Sequence, residues 1–423
     1  MTAQNKKSKN IRQNLALATG ALLAHEGHGA ESEEAELYSP WTVDVGYLRY
    51  EEPDYITVDT YMAMLSGNVS DKDSVKVGLV FDTLTGSTPT GALPDSEFVS
   101  VNGVSGGSVS AGAGAGAGGK TQFDDTRLAF DASWTHEWQR LLSTSASAYV
   151  SVEGDYTAVG GSVSIKKESK DKSTAYSAAF GSSTDTVGRS DETTPEALAE
   201  VSNAKQFGTG KKNSYEALFG LSKILNRRTV AMINFTYSRS LGYHTDPYKI
   251  ISVADSQDSE LTTVYENRPE ERERYILFSK IVHELPKSGR HLDFSYRYHF
   301  DNWDVNSHTI ETGYSFTTNN KHLFKPFGRL YYQQAADFYT RTIAYSGDPS
   351  DTFNDVELPD FASSDVRLAE MLAVTAGVKY QYKLSNKTAL DVRAAYIHRD
   401  YSDAVLSEAG SYFLTVGLGK AFD

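Results

Sequence analysis

The sequence predicts an all-β protein: a single antiparallel transmembrane β-barrel of sixteen strands, with fourteen or eighteen strands as the alternatives. Three observations predict this fold. Apolar and polar residues alternate in many short segments, the connections between segments sort by length, and the composition is rich in tyrosine and glycine, with 26 Tyr and 33 Gly. Strict alternation is typical of strands whose two faces meet different surroundings. A membrane barrel has such faces, because its outside meets lipid and its inside is polar.

The N-terminal residues have the layout of an export signal. Four basic residues between positions 6 and 12 precede a mostly apolar run at 15–24. This run is too short for a membrane-spanning helix, which needs about 20 residues. We therefore expect residues 1–24 to be a signal peptide, with residue 30 as the latest cleavage point, and residues 25–40 to be a flexible leader. Residues 41–423 then form the barrel.

The strands follow in order along the rest of the chain. The clearest alternation is His291–Phe300, in which every second residue is apolar or aromatic. Each segment supplies the 9–11 or so residues that a tilted membrane strand needs. The sixteen segments lie near 41–50, 54–65, 74–84, 126–137, 141–153, 157–166, 173–181, 213–224, 229–240, 272–284, 290–301, 306–317, 321–333, 370–383, 388–399 and 410–422.

The connections between these segments indicate the kind of barrel. Those after even-numbered segments are short and polar, whereas those after odd-numbered segments are often long. All four connections of 25 or more residues follow odd-numbered segments; they are 85–125, 182–212, 241–271 and 334–369. A bacterial outer-membrane barrel has this asymmetry, with tight periplasmic turns, long extracellular loops and both termini inside. The sequence therefore predicts location in the bacterial outer membrane, with membrane lipid and lipopolysaccharide as neighbours.

Aromatic residues near the predicted strand ends fit the interfacial girdles of such barrels. They are Trp41, Tyr50, Tyr55, Trp134, Tyr149, Tyr176, Tyr237, Tyr298 and Tyr314.

Charge and composition exclude several classes of partner. The chain has no cysteine and a formal net charge of −14. Removal of residues 1–24 takes away four basic residues and leaves 37 basic against 55 acidic residues. Such an acidic protein is not expected to bind nucleic acid or anionic lipid headgroups. No segment holds 18 consecutive apolar residues, so no helical membrane span is expected.

The predicted outer loops combine charged, aromatic and turn-forming residues at one rim. Two explanations stay open: these loops pack inward as a plug that constricts the pore, or they form a receptor or docking surface. The rim-loop candidates are Asp246, Tyr248, Lys249, Glu266, Asn267, Arg268, Asp301, Trp303, Asp337 and Asp365.

Charged residues also fall on the strand face predicted to line the lumen. They would form salt-bridge networks that satisfy buried charges, or they would line a selectivity zone. These lumen candidates are Lys76, Arg127, Asp131, Glu216, Asp293, Arg297, Glu311, Asp391 and Arg393.

Metal binding and catalysis receive little support from the sequence. Cleavage after Ala24 would make His25 an N-terminal ligand that chelates copper together with His28. A second candidate pair is His299 and His308, which flank a loop and could share a metal across it. The acidic loop 348–360 could bind Ca²⁺. No cofactor is otherwise expected. No serine, histidine and aspartate set accompanies a nucleophile elbow, so we do not expect an enzyme.

Seven segments resemble the signature segments of an uncharacterised outer-membrane protein family called domain of unknown function 3570. The resemblance is collinear and covers essentially the whole chain after the leader. The segments are "DTLTGSTPTGA" (82–92), "FDDTR" (123–127), "SRSLGYHTDPYKIISV" (238–253), "YENRPEER" (265–272), "DNWDVNSHT" (301–309), "YYQQAADFY" (331–339) and "SSDVRLAEM" (363–371).

This resemblance implies an outer-membrane barrel without a settled activity. Genes of the family often stand beside a flavin-transferring lipoprotein, a thioredoxin-like protein and a tiny lipoprotein, which suggests periplasmic or surface redox or metal work. Two functions follow as hypotheses. The first is a channel or transporter for a small solute, metal species or modified peptide, gated by the rim loops. The second is a non-transporting scaffold for periplasmic or surface redox and metal-handling partners, such as a redox protein or the small lipoprotein.

Overall fold

The computed structural model of the 423-residue chain describes residues 41–53, 55–89, 92, 120–286, 289–345, 347–348 and 352–422. The expected signal peptide and leader, including His25 and His28, lie outside the described residues.

Twenty-one strands and two short 3-10 helices make up the described chain. They are β1 (Trp41–Glu52), β2 (Ile56–Asn68), β3 (Asp73–Pro89), β4 (Lys120–Gln139), β5 (Leu142–Val152), β6 (Tyr156–Glu168), β7 (Thr174–Val187), β8 (Thr193–Pro195), β9 (Gln206–Gly208), β10 (Gly210–Asn226), β11 (Thr229–Gly242), β12 (Ile250–Ala254), β13 (Glu260–Tyr265), β14 (Glu271–Glu284), β15 (Arg290–Asp301), β16 (Asn306–Thr318), β17 (His322–Gln333), β18 (Thr342–Ala344), η1 (Phe353–Asp355), η2 (Val366–Leu368), β19 (Glu370–Lys383), β20 (Thr388–Ser402) and β21 (Glu408–Phe422).

Sixteen of these strands form one closed antiparallel barrel, which confirms the predicted fold and strand count. The order around the barrel is β1 to β7, β10, β11, β14 to β17 and β19 to β21, and β1 closes the ring by pairing with β21. Closure leaves no unpaired edge, as a strand structure in lipid requires. The other five strands lie in the long loops. Within the described ranges, no helix is long and apolar enough to cross a membrane.

The alternating pattern decides which face of each strand points outward. One register row joins Tyr47, Tyr61, Phe81 and Leu128 across four neighbouring strands, and residues in a row share a face. Large apolar side chains on this face, such as Tyr61 and Leu128, are about half exposed. In a soluble protein this belt would be an aggregation surface, whereas in a barrel it is the surface that meets lipid.

The connections sort by length as predicted. On the side of the chain termini, the connections between barrel strands span only two to five residues. One of them is a three-residue turn in which Asn319 and Asn320 both have a φ of 52°, the left-handed geometry that asparagine tolerates in tight turns. All four long connections leave the opposite end of the barrel, which we call the outer rim.

Two of the predicted girdle aromatics face inward instead. The register places Tyr149 beside Asp131 and Gly160, on the face opposite to the apolar belt. Tyr50 lies on the inner face of β1, where its hydroxyl contacts Glu52 and Arg399. The sequence shows that these aromatics lie near strand ends, but only the register determines the side of the wall on which they lie.

Candidate functional site

The long loops fold into a small unit at the outer rim, which we call the cap. It comprises the described parts of 188–209, 243–270 and 334–369. Its centre is a three-stranded sheet in which β12 lies between β13 and β18. All five residues of β12, "IISVA", are buried. Burial of every residue, four of them apolar, is typical of a strand that is covered on both faces, so the cap has an interior of its own.

Apolar side chains from distant parts of the chain form that interior. Ile251 and Val253 of β12 pack with Val264 of β13, Ile343 of β18 and Ala362. Partly buried side chains surround them; these are Leu198, Leu261, Tyr345, Phe353, Val356 and Leu358. Because burial of such side chains stabilises a fold by about 1.5–3 kcal/mol each, the cap is a packed element and not a set of loose loops.

The cap reaches widely separated points of the outer rim. At one point the segment 188–209 leaves the wall between β7 and β10, where Gly188 extends the pairing of β7 with β6 by donating its N–H to the carbonyl oxygen of Asp155 at 3.0 Å. At another, the Tyr339 hydroxyl donates to the carbonyl oxygen of Asp403, in the turn between β20 and β21, at 3.0 Å. These two points are separated by eight barrel strands in either direction. The cap therefore extends across the barrel mouth.

Six charged side chains converge at the foot of the cap, next to the ends of β11, β14 and β19. Three are acidic and three are basic, so their formal charges balance. Five of them are nearly or fully enclosed, whereas the Arg367 side chain is half exposed. We call this group the six-charge cluster; it consists of Asp246, Lys249, Glu266, Arg268, Asp365 and Arg367.

Short contacts join the members of the six-charge cluster. Arg268 bridges two carboxylates: its Nε lies 2.6 Å from Glu266 Oε1 and its Nη2 lies 2.9 Å from Asp365 Oδ2. Arg367 also binds Asp365, through Nε at 2.8 Å, and approaches Asp246 Oδ2 at 3.3 Å. Because buried charges are costly unless paired, this network makes a single arrangement of the loop ends favourable.

Polar groups of the backbone and of Ser363 complete the shell of Glu266. The N–H of Asp246 donates to Glu266 Oε1 at 2.7 Å, and the Ser363 hydroxyl donates to Oε2 at 2.5 Å. Glu266 is fully buried. Its carboxylate thus holds three segments of the chain together at one point.

The environment shifts the pKa values of the cluster in opposite directions. Burial raises the pKa of the Glu266 carboxyl and lowers the pKa of the Lys249 ammonium. Burial would also raise the pKa of Asp365, but Arg367, Lys249 and Arg268 together hold it well below its ordinary value. Asp365 is therefore the firmly ionised centre, whereas Glu266 is closer to protonation than Asp365 is.

A second loop contributes an arginine to the cap. Arg189 donates to the carbonyl oxygen of Pro247 from Nε at 3.0 Å and from Nη2 at 2.8 Å. Its guanidinium lies 4.7 Å from the ring centre of Tyr265, and the next residue, Ser190, donates its N–H to the Tyr248 hydroxyl. The segment 188–209 is thereby attached to the segment 243–270.

Asp301 and Trp303 form a separate group at the turn between β15 and β16. The carboxylate of Asp301 accepts from the N–H groups of Trp303 and Val305 at 3.0 Å each and binds Arg272 through Nη2 at 2.5 Å. The Arg272 guanidinium lies 4.3 Å from the ring centre of Trp303. The turn that carries this buried tryptophan is therefore fixed to the start of β14.

The structure brings most of the predicted rim residues together but not all of them. Six of the ten belong to the six-charge cluster or are attached to the cap beside it, as Tyr248 is. Asn267 joins the cap through its amide, which donates to the carbonyl oxygen of Asp360 at 2.8 Å. Asp337 is exposed, and its N–H donates to the carbonyl oxygen of Trp303. Asp301, Trp303 and Asp337 thus form the neighbouring group.

All nine lumen candidates lie on the inner face of the wall, and several of them form pairs. Asp82 binds Arg127, the Lys325 ammonium lies 3.1 Å from Asp293 Oδ2, and the Lys379 ammonium lies 3.9 Å from Asp391 Oδ1. The Arg393 guanidinium lies against the rings of Phe327 and Phe413 at 4.7 and 5.2 Å. The remaining candidates share this face through their registers; they are Lys76, Asp131, Glu216, Arg297 and Glu311.

The predicted metal pair on β15 and β16 is corrected by the register. His308 pairs with Tyr298 in the outward row, where its ring bonds the Tyr296 hydroxyl at 2.8 Å. His299 lies on the inner face, 3.8 Å from Asp301. The residue that pairs with His299 is the neighbour of His308 in the chain. Adjacent residues of a strand point to opposite sides. The two rings therefore lie on opposite sides of the wall and cannot share a metal.

The acidic loop 348–360 is described only in part, since Asp351 lies outside the described residues. Asp355 uses its carboxylate locally: it accepts from the N–H and the hydroxyl of Thr352 at 2.9 and 2.7 Å, at the start of η1. Calcium binding at this loop stays a prediction.

Sequence reasoning missed Arg189, Arg272, Ser363 and Arg367. Arg367 and Ser363 stand in the quoted segment "SSDVRLAEM", and Arg272 ends "YENRPEER". A balance of charges across these segments would have pointed to them, because the selected rim residues contain more acids than bases. Arg189 carries no such signal, since its partners become visible only when the loops are folded.

Comparisons with solved structures find several that this chain resembles at low sequence identity. The chain aligns with a structure titled "Bacterial polysaccharide outer membrane secretin" at 7% identity and a TM-score of 0.47, covering 92% of this chain and 100% of that one. It aligns with "CymD monoaromatic hydrocarbon channel" at 9% identity and a TM-score of 0.39, covering 91% and 89%. The ferric enterobactin receptor of Pseudomonas aeruginosa aligns at 9% identity and a TM-score of 0.40, covering 92% and 82%. No curated protein sequence matches this chain.

The sequence itself matches one protein family over residues 12–419, and this range includes the segments that build the cap and all of the barrel strands except the last three residues of β21. The chain belongs to the family described as "Protein of unknown function (DUF3570)".

Proposed function

We propose that this protein is an outer-membrane channel or transporter for a small solute, a metal species or a modified peptide, and that its cap gates the mouth. The closed barrel with an apolar outer belt supports location in an outer membrane, because closed barrels and helices are the structures that can span lipid. The connections support an orientation in which the outer rim faces the outside of the cell.

The observation that carries the proposal is the attachment of the cap across the mouth. A gated channel needs an element that closes the pore in one conformation and opens it in another. The cap has its own apolar interior, reaches separated turns of the rim, and joins the loop ends through the six-charge cluster. Balanced buried charges favour one arrangement strongly, and their separation would release the loops together.

The inner wall supports passage of a polar solute. Tyr149 faces inward and is 41% exposed, and the Arg127 side chain is 40% exposed although it binds Asp82. Exposed side chains on the inner face need open space beside them. The lumen-facing residues are largely charged or small and polar, as is typical of a water-filled barrel.

Planar-bilayer recordings would test the proposal. We expect purified protein to show small or rare openings, and a variant in which a short Gly/Ser linker replaces residues 334–362 to show a larger and steadier current. The matched control replaces only the Asn319–Asn320 turn by two glycines, at the other end of the barrel, and should conduct like the wild type.

A folded deletion variant with unchanged current would contradict gating by the cap. Absence of conductance in both proteins, together with periplasmic proteins that co-purify with the barrel, would contradict the channel and favour the scaffold function. Folding of each variant is checked by the shift in gel mobility that heating causes in intact barrels.

A further inference from the structure

Three carboxylates that do not belong to the six-charge cluster meet at the outer rim. Asp125 lies on β4, just beyond the last pair that β4 makes with β5, and Glu153 and Asp155 belong to the turn between β5 and β6. Each residue offers one carboxylate oxygen, and these three oxygens lie within 4.8 Å of one another. Two adjacent hairpins thus direct three acidic groups to one point.

The group is enclosed, and it leaves one oxygen of Asp125 without a hydrogen bond. Asp125 and Asp155 are each 8% exposed, and the Glu153 side chain is 7% exposed. The Gly154 N–H donates to Asp125 Oδ1 at 3.4 Å, whereas no described residue donates to the buried Oδ2. Buried carboxylate oxygens are normally hydrogen-bonded, paired with a cation or bound to a metal. Asp125 Oδ2 therefore points to a further ligand.

One guanidinium approaches the group. Arg127 Nε lies 3.9 Å from Glu153 Oε1, but the same nitrogen donates to Asp82 Oδ2 at 2.5 Å. Arg127 therefore belongs mainly to Asp82, and the buried Asp125 Oδ2 receives no hydrogen bond from it.

We propose that Asp125, Glu153 and Asp155 bind Ca²⁺. An all-oxygen set of carboxylates suits a hard cation. Two ligands of one ion can be separated by at most twice the metal–oxygen distance, which is about 4.6–5.2 Å for Ca²⁺ and about 4.2 Å for Mg²⁺. Separations below 4.8 Å are compatible with Ca²⁺. Neighbouring carbonyl groups and water would complete its coordination.

The site lies where the wall meets the cap. The carbonyl oxygen of Asp155 accepts the N–H of Gly188, the first residue of the segment 188–209. An ion that joins Asp125 to this turn ties two wall strands to the base of the cap. The inference concerns a binding site and does not depend on whether the barrel conducts.

Calorimetric titration with CaCl₂ would test the site directly, using barrel refolded in detergent without lipopolysaccharide. We expect about one Ca²⁺ per chain with a Kd between about 10⁻⁵ and 10⁻³ M, as in extracellular calcium modules and the weaker sensors. Asp125→Asn should weaken binding at least tenfold. The matched control is Asp400→Asn, in the exposed group His398, Asp400 and Glu408, and it should bind as the wild type does.

Thermal unfolding gives a second measurement that separates a metal site from a merely acidic surface. Without metal, Asp125→Asn should be at least as stable as the wild type, because it removes a buried charge. With 10 mM CaCl₂, the wild type should gain in melting temperature and the variant should not. MgCl₂ should have a weaker effect. If Asp125→Asn does not fold, Glu153→Gln takes its place.

Three results would overturn the assignment. They are no calcium binding by the folded wild type, equal binding by the wild type and Asp125→Asn, or loss of binding in Asp400→Asn alone.

Discussion

Arg268 and Asp365 are 97 positions apart in the chain, yet Nη2 of the arginine donates to Oδ2 of the aspartate at 2.9 Å. Asp365 is 1% exposed and the Arg268 side chain is 10% exposed. The pair therefore fixes the approach to β14 beside the approach to β19, at the foot of the cap. Exposed ion pairs contribute little to stability, but removal of one partner from a buried pair leaves an uncompensated charge.

Substitution of Arg268→Met should loosen the cap. It leaves Glu266 and Asp365 without their shared guanidinium, and loss of one partner of a buried pair costs about 3–5 kcal/mol. We expect faster limited proteolysis within residues 243–270 and more frequent channel openings. Arg239→Met is the control, because Arg239 pairs with Glu271 at the exposed surface. Equal proteolysis of the two variants would argue against the six-charge cluster as the element that holds the cap.

Acidification should weaken the cap through His244. Its Nδ1 bonds the carbonyl oxygen of Gly242 at 2.8 Å and its Nε2 bonds the Ser240 hydroxyl at 2.7 Å, an arrangement that suits the neutral ring. Burial lowers the pKa of His244 from 6.5 to about 4. Between these values the unfolded loop binds a proton that the folded loop does not, so stability falls as the pH falls from 6.5 towards 4, by at most about 1.4 kcal/mol per pH unit.

The measurement is limited proteolysis of the cap between pH 7.5 and 4.5. His244→Gln should flatten the profile over the range below pH 6.5. His283→Gln serves as the control, because the ring of His283 bonds Thr229 at the opposite end of the barrel. A profile that His244→Gln leaves unchanged would assign the acid sensitivity to another group.

The inward orientation of Tyr149 can be tested by cysteine labelling, since the chain has no cysteine of its own. Tyr149→Cys should react with a charged, membrane-impermeant thiol reagent, and the current of the cap-deleted barrel should then fall. Tyr176→Cys should resist the reagent, because Tyr176 is 56% exposed on the lipid-facing side. Labelling of the second position at the rate of the first would contradict the register of β5 or β7.

The tight turn at Asn319 and Asn320 should be sensitive to residue type. Both residues have a φ of 52°, where a β-branched side chain clashes with the backbone. Asn320→Val should lower the free energy of unfolding by about 1–2 kcal/mol, whereas Asn320→Gly should keep or raise it. Urea titration in detergent micelles, followed by tryptophan fluorescence, gives both values. If Asn320→Val leaves the free energy of unfolding unchanged, the turn has another geometry.

The alternation of residues and the lengths of the connections were sufficient to predict the barrel. A strand such as β15 presents aromatic and charged residues in strict alternation because its two faces meet lipid and lumen, and that contrast is local to the strand. Likewise, "TNNK" is short because antiparallel neighbours need only a tight turn. The inner position of Arg127 or Asp293 follows from the same period of two.

The histidine pair and the inward tyrosines show where this reasoning ends. In the sequence His299 and His308 flank one loop. A strand reverses its face at each residue, however, and the register places their rings on opposite sides of the wall. Tyr149 is an aromatic residue of the kind that forms interfacial girdles, but its side chain faces the lumen. Residue type and proximity along the chain do not determine which side of the wall a side chain faces. More than one alternation of inward and outward residues is compatible with such a sequence.

By itself, the sequence determined the wall of this protein: sixteen strands, the side from which the long loops leave, and the inward position of the charged residues on the strands. These features depend on local alternation and on chain length. Only the tertiary structure decided that the loops fold into a cap, that Arg268 and Asp365 meet across 97 positions, and that Asp125 meets Glu153 and Asp155. Such contacts join segments that are far apart in the chain, and they form because buried charges must find partners once the loops are brought together at one rim.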